Sequence, residues 1–129
     1  MPQQNTTTCA TSFAQKAAVQ ALTGPQEPVE QMRKEYDKRR KAIVKALNQI
    51  DGVTCKMPKG AFYAFPNISE YSKNSLQLAE KLLESKGVCF TPGSVFGSNG
   101  EGHLRISYAT SMQDILEGVK RLEEYLHSL

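Results

Sequence analysis

In the stretch Leu104-Arg105-Ile106-Ser107-Tyr108 a single arginine stands between two aliphatic residues. If the stretch is a strand, its side chains alternate between two faces. Leu104, Ile106 and Tyr108 then share one face, and Arg105 and Ser107 the other. A guanidinium so placed must reach water, pair within the protein or meet an anion, because burying it unpaired is costly. Its planar fork matches a carboxylate through two parallel hydrogen bonds. Spacing alone leaves the three readings open.

The other chemically capable residues give weaker signals. Gly97-Ser98-Asn99-Gly100-Glu101-Gly102 has the glycine content of a phosphate cradle. It lacks the terminal lysine and serine or threonine of a P-loop and reads as a connection between strands. His103 and His127, with Cys9, Cys55 and Cys89 scattered along the chain, show no metal-ligand spacing, so no metal site is expected. Three cysteines without a C-x-x-C pair read as free thiols in a reducing, cytoplasmic setting. Cys89, inside Val-Cys-Phe, reads as a small core residue rather than a nucleophile. Phe62, Tyr63 and Phe65 suit core and cross-strand packing, with lining of a site as the second reading.

The elements that must position these residues can be read from periodicity. The chain has 129 residues, 40% hydrophobic and 22% charged, which fits one globular domain and argues against disorder. No apolar run approaches the roughly 20 residues that span a bilayer. Met1-Pro2-Gln3-Gln4-Asn5 has neither the basic nor the apolar region of a signal peptide. The formal charge is +3, yet residues 30–45 alone carry seven bases and three acids. That segment repeats apolar residues at Val29, Met32, Tyr36, Ile43, Leu47 and Ile50, so it reads as a long amphipathic helix. Its basic cluster reads as a solvated face rather than a nucleic-acid patch.

Ser12-x-x-Gln15 predicts a capping box for a helix stopped by Gly24-Pro25. Val53–Met57 and Ala61–Pro66 predict a hairpin turned at Pro58-Lys59-Gly60. Asn74 and Ser111 are predicted caps of two further helices, and Lys86-Gly87 the end of the first of these. Val88–Thr91 and Leu104–Tyr108 are predicted strands. The expected fold is α+β: a small, mostly antiparallel sheet with helices on one face, preceded by a long amphipathic helix. The compositional break at Thr23–Pro28 is the expected boundary between residues 1–24 and 25–129.

Three blocks, Gly60-Ala61-Phe62-Tyr63-Ala64-Phe65-Pro66, Thr91-Pro92-Gly93-Ser94-Val95-Phe96-Gly97 and Gly102-His103-Leu104-Arg105-Ile106-Ser107-Tyr108-Ala109, resemble the C-terminal part of a class I/II aminotransferase. Thr11-Ser12-Phe13-Ala14-Gln15 and the helix bearing Arg39-Arg40 are similar to the same family in the same order. The resemblance implies a pyridoxal-phosphate enzyme of the aspartate aminotransferase type, fold type I. Such an enzyme transfers an amino group between an amino acid and a 2-keto acid and works as a homodimer. Residues 1–24 would be the last helix of the large cofactor domain, and 25–129 the small domain. The resemblance gives Arg105 the substrate α-carboxylate and brings Phe62 towards the substrate side chain. It sets Asn5–Thr8 near the dimer interface.

The family's Schiff-base lysine has no counterpart here: no lysine of this chain stands in the matching context. The chain is therefore expected to supply a carboxylate clamp, with neither a cofactor-binding nor a catalytic residue of its own, and to be inactive alone. The alternative is a free-standing α+β module that binds a carboxylate or another protein, with no membrane or nucleic-acid partner.

Overall fold

The computed structural model describes residues 9–129. They form four α-helices and three short strands: α1 (Ser12–Thr23), α2 (Glu27–Leu47), β1 (Tyr63–Ala64), α3 (Ser75–Lys86), β2 (Thr91–Pro92), β3 (Leu104–Ser107) and α4 (Met112–Leu126). The chain divides into two compact units, one ending at Arg33 and the other running from Lys34 to Leu129. The division falls within α2, beyond the break at Thr23–Pro28.

In the first unit, α1 is capped by Thr11 through backbone geometry, with no side-chain capping bond. The expected capping box is thus replaced: the Gln15 side-chain amide donates instead to the Ala10 carbonyl at 2.7 Å. Gly24 and Pro25 end the helix as expected, the Gly24 N–H closing onto Gln20. Phe13, Val19 and Leu22 are exposed.

The second unit carries the core. Ile43, Val44 and Leu47 of α2 are buried, whereas Val29 and Met32, predicted on the same stripe, are exposed. The basic face of α2 is neutralised locally. Asp37 meets Arg40 and Lys41, each at 2.6 Å, and Glu35 meets Arg39 at 3.0 Å. Arg40 also donates to the Pro58 carbonyl at 2.7 Å, so one base of the cluster serves to hold a loop. Asn74 and Ser111 cap α3 and α4 by accepting from Gln77 and Asp114 N–H groups, as their sequence signatures predict. Gly87 ends α3 at φ +63°, the left-handed conformation glycine adopts without a Cβ penalty. No helix among the described residues is long and apolar enough to cross a membrane.

The sheet is antiparallel with order β1-β3-β2, so β3 is central. Tyr63 faces Ser107 and Ala64 faces Ile106, while Thr91 faces Arg105 and Pro92 faces Leu104. The predicted hairpin does not form. Residues 53–57 make only one bridge, Thr54 to Asn67, and β1 pairs with β3 instead. The cause is local: the Asn48 side chain accepts from the Cys55 N–H at 2.8 Å and donates to the Cys55 carbonyl at 2.9 Å. Those backbone groups are thereby satisfied without a partner strand. The predicted strand at Val88–Thr91 is likewise shifted to Thr91–Pro92. Cys89 is exposed, and Phe90 beside it is the core residue, which corrects the expected burial of that cysteine.

Leu104, Ile106 and Tyr108 join Ile43, Leu47, Leu82, Leu122 and Leu126 in one apolar cluster. α3 packs against α4 and against β2. Burying each such side chain contributes roughly 1.5–3 kcal/mol. The other face of β3 presents Arg105, half-buried, and Ser107, exposed.

Candidate functional site

Arg105 occupies the middle of the central strand, and its guanidinium lies between two aromatic rings. The guanidinium carbon is 4.4 Å from the Tyr63 ring centre and 4.8 Å from that of Phe96. Its Nη2 donates a long hydrogen bond, 3.3 Å, to the Thr91 hydroxyl of the strand opposite. Among the described residues Arg105 makes no ion pair. Each cation–π contact contributes about 0.5–2 kcal/mol depending on desolvation, and together they hold the fork without neutralising it. The remaining N–H donors are available to an anion.

Three elements build this seat. β1 supplies Tyr63, whose ring is buttressed by Phe62 with centres 4.5 Å apart. β2 supplies Thr91. The loop joining β2 to β3 supplies Phe96 and is closed by a backbone contact between Gly93 and Gly100 that leaves no room for a Cβ on either. The same loop is tied to the start of α3. Glu101 Oε1 accepts from the Ser75 N–H at 2.7 Å and from the Gly102 N–H at 3.0 Å. The buried Ser75 hydroxyl meets the Ser94 N–H and hydroxyl, both at 3.2 Å. These donors, the Ser75 N–H first, hold the Glu101 carboxyl below the ordinary glutamate range. The glycine-rich stretch is therefore a connection between adjacent antiparallel strands.

Beyond Phe96 the aromatic series continues. Phe65 meets Phe96 edge-on at 6.2 Å and stacks on His103 at 4.9 Å. His103 Nδ1 lies 3.0 Å from the Glu101 carbonyl and Nε2 3.4 Å from the Asn67 amide nitrogen. Tyr63, Phe65 and His103 line a cavity of about 450 Å³, and Thr54, Lys56 and Pro58 are among its other lining residues. No group of three metal-ligating side chains exists among the described residues.

The sequence singled out Arg105 and Phe62. The structure brings Phe62 to Tyr63, and Tyr63 to Arg105, so the two are linked through one intervening ring. Phe62 is 41% exposed, open to an approaching ligand. Phe96 and Thr91 were not assigned to the site by sequence, and Tyr63 entered only as a second reading. Only the β1-β3-β2 pairing brings them to the arginine. Asn5–Thr8 lie outside the described residues.

A family model of aminotransferase class I and II matches residues 1–122. The chain belongs to the class I and II aminotransferases. It is 47% identical over 117 residues to an aspartate aminotransferase from Pyrococcus horikoshii, covering 89% of this chain and 30% of that protein. It is 42% identical over 121 residues to an aromatic-amino-acid aminotransferase from Thermococcus litoralis, covering 92% of this chain and 31% of that one. A crystal structure of an aromatic aminotransferase from Pyrococcus horikoshii superposes with a TM-score of 0.87 at 43% identity, over 93% of this chain and 32% of the other. The chain thus spans less than a third of the length of these aminotransferases.

Pyridoxal phosphate is the cofactor that membership of this family implies. The side chains in contact with Arg105 are two aromatic rings and a hydroxyl, a donor set with no amine to bond an aldehyde and no acid to meet a pyridinium. The recorded partners of this guanidinium do not fit the cofactor.

Proposed function

We propose that this chain is the C-terminal small domain, preceded by the last helix of the large domain, of a pyridoxal-phosphate transaminase of the aspartate aminotransferase type. Within such an enzyme Arg105 would bind the α-carboxylate of the amino acid or 2-keto acid. The observation that carries this reading is a half-buried guanidinium on a central strand, wedged between Tyr63 and Phe96 and lacking an acidic partner.

The physical case is one of orientation. A carboxylate on the free edge of the fork would be held by two parallel hydrogen bonds, which fixes the direction of the α-carbon substituents as well as their distance. Tyr63 and Phe96 stop the guanidinium from swinging, so little rotational freedom remains to be lost on binding. Phe62 would border the substrate side chain. The homodimer, the amino-acid and keto-acid substrates and a cytoplasmic location belong to the same proposal, as does the inactivity of the 129-residue chain alone.

The test is a titration of the ¹⁵N-labelled chain with 2-oxoglutarate and with phenylpyruvate, following the Arg105 Nε–H signal. A saturable displacement by both acids is expected, and it should weaken in Tyr63→Leu, which keeps the Arg105 reporter. An Arg105 signal unmoved by either acid at millimolar concentration would remove Arg105 from the site. In a full-length protein containing this chain, Arg105→Ala is expected to weaken substrate binding and turnover while the cofactor stays bound.

A further inference from the structure

Ala61 is the one non-glycine residue with positive φ among the described residues, at +59°. The left-handed region is unfavourable for a residue with a Cβ, and such a conformation persists only where the surroundings enforce it. The group that meets the Ala61 carbonyl is Tyr108. Its ring is fully buried, and its hydroxyl donates to the Ala61 carbonyl at 2.9 Å. Its own backbone N–H donates to the next carbonyl along, that of Phe62, also at 2.9 Å. Two consecutive carbonyls are thus gripped by the two donors of a single residue.

Directly after Ala61 the chain enters the aromatic seat of Arg105. Phe62 lies tilted against Tyr63, and the Tyr63 ring lies under the guanidinium. We propose that the Tyr108 hydroxyl is a positioning group that holds Ala61 in its left-handed turn, and so sets Phe62 and Tyr63 against Arg105. Tyr108 lies on the core side of β3 and Arg105 on the open side, so the hydroxyl acts through the neighbouring strand and not by touching a ligand. A phenylalanine would fill the same core space and leave the Ala61 carbonyl without its donor. The turn would then relax towards negative φ, where alanine is comfortable, and Phe62 would leave Tyr63.

The role of Arg105 as a carboxylate clamp rests on the proposed function, but the readout of the Tyr108 latch needs no ligand. With the guanidinium carbon over both rings, the ring currents of Tyr63 and Phe96 would shield the Arg105 Nε–H proton. Its chemical shift therefore reports their placement whether or not a carboxylate binds. In folded Tyr108→Phe the signal is expected to move downfield, with loss of Phe62–Tyr63 cross-peaks. Adding Ala61→Gly, which accepts positive φ without strain, is expected to restore both, a rescue that a merely structural role of Tyr108 would not give. Ala61→Val, which leaves Tyr108 intact and resists the left-handed conformation, should displace the signal in the same direction, and it carries the test if Tyr108→Phe does not fold. An unmoved Arg105 signal in either folded variant, or a displaced one that glycine at 61 does not restore, overturns the latch.

Discussion

The centre of the Tyr63 ring lies 4.4 Å from the guanidinium carbon of Arg105, although the two residues are not paired in the sheet: Tyr63 faces Ser107 and Arg105 faces Thr91. The contact is diagonal across β1 and β3, within reach only of a long or aromatic side chain. A smaller residue at 63 would leave the arginine open on that side.

Tyr63→Leu is accordingly expected to weaken carboxylate binding by about 1 kcal/mol, about fivefold in Kd, while Tyr63→Phe stays close to the parent. Titration of the three proteins with 2-oxoglutarate decides it. Equal affinities would show that the stack does not orient the fork.

The two glycine positions Gly93 and Gly118 should respond in opposite directions. Alanine at 93 drives its Cβ into the Gly100 carbonyl and should cost about 3 kcal/mol. Gly118 lies within α4 with open space around it, so Gly118→Ala should stabilise by roughly 0.5–1 kcal/mol. Urea unfolding midpoints read both.

Glu101 predicts a pH dependence. Its carboxyl is held below the ordinary glutamate value of 4.5, chiefly by the Ser75 N–H. A lowered value in the folded state means stability that is present above the unfolded value and lost as pH falls through the folded one. Glu101→Gln should therefore be less stable at neutral pH and show a shallower loss below pH 4.5. Parallel stability curves for the two proteins would show that this carboxylate makes no difference to folding.

Pyridoxal phosphate added to the 129-residue chain is expected to give no saturable, stoichiometric Schiff-base absorbance band. A band that saturates at one equivalent, and disappears on replacing one particular lysine, would show that this chain holds a cofactor lysine after all.

Much of the fold was legible in the sequence because its signals are local. Asn74 and Ser111 cap their helices through bonds to residues three positions on, and Leu104, Ile106 and Tyr108 alternate with Arg105 whatever the strand pairs with. The features that escaped depend on distant partners or on a side chain replacing a backbone partner. Asn48 occupies the backbone groups of Cys55, so an alternating segment that reads as a strand never joins one. Cys89 has apolar neighbours and so reads as buried, but it is Phe90 that turns inward. Arg105 could be suspected from its flanks, whereas Tyr63 and Phe96 could be assigned to it only once the strand order was known.

That strand order also bears on how the chain is made. The two outer strands, at Tyr63–Ala64 and Thr91–Pro92, bond only to the central strand between them, and it is the last of the three in the sequence. A nascent chain that has emerged from the ribosome as far as Phe96 owns both edges of a sheet and no middle. These strands cannot pair until the central one has emerged, and the arginine arrives on the same four-residue stretch that completes the sheet. Translation stalled before Leu104 would leave two unpaired strand segments open to intermolecular pairing, whereas a stop after Ser107 already includes every strand the sheet needs.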